Sequence, residues 1–229
     1  MMSSMHESAL DSLLGPLNEA ERKFAPEQLF CAGDASLLKR RPRVSVIGSR
    51  SAPPRALSLA RSLSGILSAQ DAVVVSGLAK GIDTAAHRGA IDSGGRTIAV
   101  IGTSLTDCYP RENRELQEHM AQNELVVSQF APEKPTQRKN FVLRNRTMAL
   151  LSEASVIVAA QEKSGTEHQG WEALRLGRIL FIEESLRNLS WVQKMRGYGA
   201  ILFSELDFPQ LLEELLPPAP VSELRELPF

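Results

Sequence analysis

Short runs of apolar residues alternate with longer stretches of mixed character from residue 44 onward. The run VSVIG at 44–48, for example, precedes PRALSLARSLSGILSA, in which leucine and alanine recur at helical spacing. Because it is apolar without alternation, such a run predicts a strand that is buried on both faces. The pattern recurs in runs at 72–77, 96–102, 124–130, 154–160 and 178–183. We therefore predict an α/β fold with a doubly wound, mostly parallel sheet and helices on both faces.

This pattern divides the chain into three segments. Residues 1–43 are predicted to be an N-terminal lead-in that packs on the core. Residues 44–215 hold the alternating strand and helix patterns and form the predicted main domain. Residues 216–229 include LPPAPVSE, which is typical of a linker or tail.

The loops that follow the strands carry the unusual chemistry, and in an open parallel sheet such loops form the ligand crevice. In VIGSR at 46–50, Gly48 follows a buried strand directly, so that amides at the start of the next helix can face an anion beside Arg50. Neither G-x-G-x-x-G nor G-x-x-x-x-G-K-[ST] occurs, which argues against a dinucleotide or ATP fingerprint. The loop alone fits a phosphate site and a tight turn with a solvated arginine equally well.

Two further loops repeat this arrangement of glycine before a helix. In SGLAKGID at 76–83, Lys80 stands at the tip, and Asp83 is predicted to cap the helix that follows. In SGTEHQGWEAL at 164–174, Ser164 or Thr166 is available as the cap. Glu167 fits either a base in a hydrolytic site or a carboxylate that stabilises the helix N-terminus.

Positive charge is concentrated in two parts of a chain whose 26 Lys and Arg residues are balanced by 27 Asp and Glu residues. Net charge therefore provides no general attraction to nucleic acid. Segments 39–61 and 134–146, however, contain no acidic residue, and RKNFVLRNR at 138–146 places four cations around Phe141. An exposed Phe among cations can stack a base of single-stranded nucleic acid, whereas a core Phe would leave the cations solvated. Periodicity leaves both interpretations open.

The composition is that of an ordinary globular protein, with 43% apolar residues in 229. Cys31 and Cys108 are too few for a disulfide framework, and no His/Cys spacing suggests a metal site, so we expect reduced cysteines, no metal and no cofactor. No stretch approaches the roughly 20 apolar residues of a membrane span. We expect a cytoplasmic protein that makes no membrane contact.

Four motifs, read in order, resemble one known family. The motifs are G-S-R, S-G-x-A-x-G-I-D-x-x-A-H, Y-P-x-E-N and N-F-x-x-R-N-R, and all lie within residues 27–182. This stretch resembles the central domain of the DNA-processing protein A family, also called DprA or Smf. The resemblance implies an extended Rossmann-like, non-enzymatic domain that binds single-stranded DNA in a basic pocket and forms a homodimer. In naturally transformable bacteria such proteins protect incoming strands and help to load a RecA-type recombinase.

The resemblance also selects the candidate binding residues, carried over position by position. They are Gly48, Ser49, Arg50, Lys80, Lys139, Phe141, Arg144 and Arg146.

Two other hypotheses remain open. The crevice could hold a small nucleotide, as in a nucleotide sensor or a LOG-like nucleotide phosphoribohydrolase, because SGTEHQGWEALRLG loosely resembles the P-G-G-x-G-T-x-x-E loop of that group. The chain could instead be an adaptor that binds protein through Trp171, Trp191 and its acidic C-terminus.

Overall fold

The computed structural model of the protein describes residues 6–8, 14, 16–132 and 134–216. The strands in this part of the chain are β1 His6–Ser8, β2 Leu29–Gly33, β3 Arg43–Gly48, β4 Val73–Ser76, β5 Thr97–Ile101, β6 Leu125–Ser128, β7 Ala154–Ala159, β8 Ile179–Glu183 and β9 Ile201–Phe203. The α-helices are α1 Glu19–Phe24, α2 Pro54–Ala69, α3 Ile82–Asp92, α4 Arg114–Asn123, α5 Arg138–Leu150, α6 Gly165–Arg175, α7 Ser190–Gly197 and α8 Phe208–Leu215. Short 3₁₀ turns lie at Ala35–Lys39, Arg111–Asn113 and Glu184–Leu186.

All of these strands form one sheet, in the order β1-β2-β6-β5-β4-β3-β7-β8-β9. From β6 across to β9, every neighbouring pair is parallel, while β2 pairs antiparallel with both β1 and β6. From β3 the chain moves outward through β4, β5 and β6, and then returns to place β7 on the other side of β3. The doubly wound α/β prediction is therefore confirmed, and the strand order reverses between β3 and β7.

The parallel strands are buried on both faces, as their continuous apolar runs predict. Neighbouring residues of one strand belong to different clusters: Val46 packs with α2 and α3 on one face, and Ile47 packs into the cluster on the other. The glycine of α3, Gly89, lets the helices on the first face approach closely, because a Cβ there would stand 2.6 Å from the backbone oxygen of Arg61. This packing holds the carboxyl ends of the strands in a fixed arrangement.

The structure adds elements that the apolar runs did not predict. Strand β2 lies inside the segment predicted as a lead-in, and β9 and α8 complete the far edge of the sheet. β9 has only three residues, and β2, although as long as β5, has the sequence LFCAG with two small residues at its end, so neither contains the run rich in Val and Ile that predicts the other strands. The boundaries at 43 and 215 stay a prediction, and the predicted tail lies, after Leu216, outside the described residues.

His87, on α3, is a packing residue of this core. Its Nδ1 lies 2.8 Å from Thr97 Oγ1, and the Thr97 hydroxyl donates to the Val74 carbonyl at 2.9 Å. Since the hydroxyl proton is used there, His87 Nδ1 carries the proton and donates to Thr97. Complete burial, together with the positive charge of Arg144, lowers the pKa of His87 to about 3. The imidazole is neutral in the folded protein.

We expect the free energy of unfolding to fall as the pH falls from about 6.5 toward 3, partly because of His87. The unfolded chain takes up a proton near the ordinary histidine pKa of about 6.5, whereas the folded chain does not, so the loss is about 2 kcal/mol at about pH 5. His87→Asn keeps a donor for Thr97 and removes this titration. Denaturant unfolding of both proteins at about pH 8 and pH 5 measures the difference; equal pH slopes would contradict the assignment.

Candidate functional site

A cleft of about 470 Å³ opens where the strand order reverses. Residues 48–51, after β3, form one wall, and residues 164–166, after β7, form the other. Asp83, Arg144 and Gln169 contribute to the interior. The cleft thus lies in the crevice that the sequence predicts, and it contains Gly48, Ser49, Arg50 and Arg144 of the candidate set.

Backbone contacts fix the loop that carries Arg50. Ser49 N–H donates to the Ala159 carbonyl at 2.8 Å, and a Cβ on Gly48 would stand 2.8 Å from the same oxygen. On its other side, the Ser49 carbonyl accepts from Ile82 N–H at 3.3 Å. Gly81, at φ +74°, has no Cβ to collide with that carbonyl. The loops after β3 and β4 therefore pack backbone against backbone.

Arg144 is the buried centre of the site. Its side chain projects from α5, is 5% exposed and donates from Nη1 to the Val100 carbonyl at 3.0 Å. The same Nη1 lies 3.8 Å from Asp83 Oδ2. A Cβ on Gly77 would overlap this guanidinium, so the glycine of the S-G-L-A-K-G loop provides the space for it. Arg144 joins α5, β5 and the loop after β4.

Asp83 has a different role from the one predicted for it. The helix α3 begins after Gly81 without a side-chain cap, and Asp83 Oδ2 instead accepts from the Ala79 N–H at 3.3 Å. The carboxylate therefore stabilises the loop that precedes the helix, and it is also the partner of Arg144. By contrast, Ser164 is the N-cap of α6, as predicted, and accepts from Glu167 N–H at 3.5 Å.

The two buried charges shift each other's pKa against the effect of burial. Burial raises the pKa of the Asp83 carboxyl, while the Arg144 guanidinium and the Ala79 N–H act against that rise. Burial lowers the pKa of Arg144, Arg50 acts in the same direction, and Asp83 opposes both. Because the ordinary pKa of an arginine lies far above neutral, Arg144 keeps its charge at neutral pH even with its pKa lowered, while the net effect on the Asp83 carboxyl is a raised pKa.

Phe141 lies at the entrance to the crevice, one turn before Arg144 on α5. The Arg50 guanidinium stands over its ring at 5.7 Å from the centroid, and the Tyr109 ring packs against it at 5.3 Å, tilted by 56°. Gly102 makes room for the ring, since a Cβ there would stand 2.6 Å from Cδ1 of Phe141. Phe141 is half-buried, so the ring is anchored but remains accessible, and base stacking on it stays a prediction.

Tyr109 is the functional candidate that the sequence reasoning missed. It is 53% exposed and shares a small cleft of about 40 Å³ with Arg50, Lys80 and Phe141. Its signal was an aromatic residue in a loop that follows a buried strand, β5. An exposed aromatic pair beside cations is a surface on which two bases could stack.

Lys80 is held by an acidic residue that the sequence did not link to it. Its Nζ lies 2.5 Å from Glu112 Oε2, and both side chains are about half exposed. The neighbouring Asn113 donates to the Leu78 carbonyl and to Thr84 Oγ1, each at 2.9 Å. The Y-P-x-E-N motif thus supports the loop after β4.

Two candidates lie away from the cleft. Lys139 is exposed and lines neither of the two clefts, whereas Arg146 lies 3.3 Å from Glu172 Oε1 and 5.8 Å from the centroid of the Phe24 ring. Residues 144 and 146 are about 200° apart around a helix, which explains why Arg146 does not share the surroundings of Arg144. DNA contact by these residues stays a prediction.

The residues named for the other hypotheses also lie elsewhere. Glu167 is not part of the cleft lining. Trp191 is buried, so it cannot present a surface to a partner, and the half-buried Trp171 packs edge-on against Tyr198 at 5.5 Å. The described residues contain no cluster of three or more His, Cys, Asp or Glu side chains that could hold a metal ion. Nor does any described helix have the length and apolarity to cross a membrane.

A family comparison agrees with this geometry. Residues 15–218 match the family model described as DNA recombination-mediator protein A. The chain belongs to this family. The resemblance seen in the four motifs is thereby confirmed, and those motifs build the crevice: G-S-R and S-G-x-A-x-G-I-D line it, while Y-P-x-E-N and N-F-x-x-R-N-R support and flank it.

Several curated members of this family are similar to the chain. DNA processing protein DprA of Streptococcus pneumoniae is 40% identical over 167 residues, 72% of this chain and 58% of that protein. DprA of Bacillus subtilis is 36% identical over 156 residues, 68% of this chain and 52% of that protein. Protein Smf of Escherichia coli is 31% identical over 208 residues, 85% of this chain and 54% of that protein. The chain spans about half the length of these relatives.

Solved structures of the family share the fold. The Streptococcus pneumoniae protein superposes with a TM-score of 0.79 at 29% identity, over 95% of this chain and 76% of that chain. DNA processing protein A of Helicobacter pylori, described for its single-stranded DNA binding mode, gives 0.77 at 29% identity, over 94% of this chain and all of that one. The molybdenum cofactor carrier protein of Chlamydomonas reinhardtii, at 17% identity and a TM-score of 0.54, shows only the shared fold.

We expect Gly77→Ala to unfold the protein more easily, because its methyl group would displace the buried Arg144 guanidinium. Breaking a buried ion pair and its hydrogen bonds costs about 3 kcal/mol or more. The matched control is Gly197→Ala, where a Cβ would meet nothing within 4 Å. Denaturant unfolding measures both variants. Equal stability of the two would contradict the structural role of Arg144.

Proposed function

We propose that the chain binds single-stranded DNA along the carboxyl edge of its sheet, as a DNA-processing protein of the DprA type. The observation that carries the proposal is the arrangement at the entrance to the crevice. An accessible Phe141 ring lies beneath the Arg50 guanidinium, next to the exposed Tyr109 and near Lys80. Bases stack on such rings with little preference for sequence, and neighbouring cations hold the phosphates.

The proposal assigns unequal roles to the predicted binding residues. Arg50 is a direct phosphate contact, because its guanidinium lines both clefts. Lys80 contacts DNA in competition with Glu112. Arg144 acts mainly by holding α5 in place, since its Nη1 is occupied by the Val100 carbonyl. Lys139, exposed on the first turn of α5, extends the positive surface beside Phe141.

We propose binding rather than catalysis. Among the described residues, Asp83 is the carboxylate that lines the larger cleft, and it is engaged by the Ala79 N–H and paired with Arg144. Both contacts are made by Oδ2, so this carboxylate is committed to structural interactions, although burial raises its pKa. The LOG-like hydrolase hypothesis would need Glu167 in the cleft, which it does not line.

The relatives support DNA as the ligand. Curated members that match most of this chain are named DNA processing proteins, and the Helicobacter pylori structure is described for single-stranded DNA binding. A homodimer and the loading of a RecA-type recombinase stay predictions, because the chain covers about half the length of the curated proteins.

We expect Phe141→Ala and Arg50→Ala each to weaken binding of fluorescein-labelled oligo-dT by about tenfold, which corresponds to loss of one stacked base or one charged contact. Fluorescence anisotropy measures the affinity. Matched controls are Tyr198→Ala, an exposed aromatic on the C-cap of α7, and Arg61→Ala, whose side chain pairs with Asp92 at the end of α3. Unchanged affinity for both crevice variants would refute the proposal.

We expect Glu112→Gln to strengthen oligo-dT binding by about two- to threefold at low salt. The change removes the carboxylate that neutralises Lys80 and leaves a cation available to phosphate. The slope of log affinity against log salt should become steeper by up to about one unit. Glu184→Gln, whose side chain pairs with Arg187, is the control. A weaker or unchanged affinity would show that Lys80 does not contact DNA.

A further inference from the structure

The larger cleft has the features of a small-ligand site separate from the stacking surface. It lies between β3 and β7, where the strand order reverses, which is the position at which open α/β sheets bind small molecules. Its volume of about 470 Å³ falls within the range of such sites. Phe141 and Tyr109 belong to the smaller cleft instead.

One end of the cleft suits a phosphate group. Helix α6 has eleven residues and begins at Gly165, and the first amides of a helix have no acceptor within it. A Cβ on Gly165 would meet nothing within 4 Å, so the space beside this first residue of the helix is open. Arg50 and Ser49 lie on the opposite wall.

Two buried donors in the same cleft lack acceptors. Gln169, one turn along α6, is 4% exposed, and its Nε2 has no hydrogen-bond partner among the described residues. Arg144 Nε is likewise without a partner there. A buried donor that stays unpaired costs free energy, so both side chains favour a ligand rich in oxygen.

From these observations we propose that the cleft binds the phosphomonoester of a nucleotide. The phosphate lies between the start of α6 and Arg50, while Gln169 and Arg144 donate to oxygens of the sugar or base. Asp83 lines the cleft, and its Oδ1, rather than the Oδ2 that accepts from the Ala79 N–H, is the acceptor available to a hydroxyl or amino group. The same chemistry comes from two sources: a free nucleoside monophosphate, or the 5′-phosphate at the end of a DNA strand. If the ligand is the 5′-phosphate of a DNA strand, the inference rests on the proposed function, because Arg50 then contacts DNA in both clefts.

Calorimetry with thymidine 5′-monophosphate tests the site itself. We expect a dissociation constant below about 1 mM, and at least tenfold weaker binding of thymidine, which lacks the phosphate. Gln169→Leu keeps the buried volume and should weaken the nucleotide about tenfold by removing one donor. Gly165→Val fills the open space and should abolish binding; circular dichroism shows whether each variant is folded. Phe141→Ala should retain nucleotide binding, because Phe141 does not line this cleft.

Oligo-dT with and without a 5′-phosphate distinguishes the sources. If the strand end is the ligand, the phosphorylated oligomer binds several-fold more tightly, and Gln169→Leu removes only that preference. If the free nucleotide is the ligand, both oligomers bind equally while the monophosphate binds. The failure of one proposal can be told from the failure of the other. If Phe141→Ala loses oligo-dT binding but still binds the monophosphate, the DNA-stacking surface and the nucleotide site are distinct. The inference is overturned if the protein does not bind the monophosphate and also shows no preference for the 5′-phosphorylated oligomer. It is also overturned if Gln169→Leu and Gly165→Val are folded and bind the monophosphate and the 5′-phosphorylated oligomer as tightly as the unaltered protein.

Discussion

The buried Arg144 guanidinium is the constraint on which the crevice depends. A charge that is 5% exposed must keep its partners, and here they are the Val100 carbonyl on β5 and the Asp83 carboxylate at the start of α3. Gly77 provides the space for it. Phe141 lies three residues earlier on the same helix, so the contacts that fix Arg144 also fix the aromatic ring at the entrance.

Pairing of charges limits the positive potential at the proposed binding edge of a chain of net charge −1. Arg144 is balanced by Asp83, Lys80 by Glu112, and Arg146 by Glu172. The crevice is thus less positive than the density of arginine and lysine in the sequence suggests. Arg50 has its guanidinium over an aromatic ring, and it forms no ion pair with a carboxylate of the described residues. The proposed binding at this edge would therefore rely on a few well-placed groups, and not on a strong overall field.

The sequence predicts the central strands and the position of the crevice because both follow from local rules. Uninterrupted apolar runs indicate strands buried on both faces, and the loops after such strands meet at one edge. The burial of Arg144 does not follow from a local rule. Helix α5 buries Asn140, Arg144 and Thr147 as well as apolar residues, so its hydrophobic periodicity is weak. The space for the guanidinium comes from Gly77, which is far away in sequence, and no pattern along the helix indicates it.

Arg50 connects the two clefts physically. Both clefts are lined by Arg50, Ala79 and Arg144, and the Arg50 guanidinium stands 5.7 Å from the centre of the Phe141 ring. A base that stacks on the accessible face of that ring must displace this guanidinium or stack beside it. Because Asp83 is already paired with Arg144, an anion in the larger cleft is the partner that would best compensate a displaced Arg50. In the proposed modes of binding, stacking of a base and binding of a phosphate would therefore be coupled through one side chain, and the fixed backbone of the G-S-R loop would limit that coupling to a rotation of the arginine.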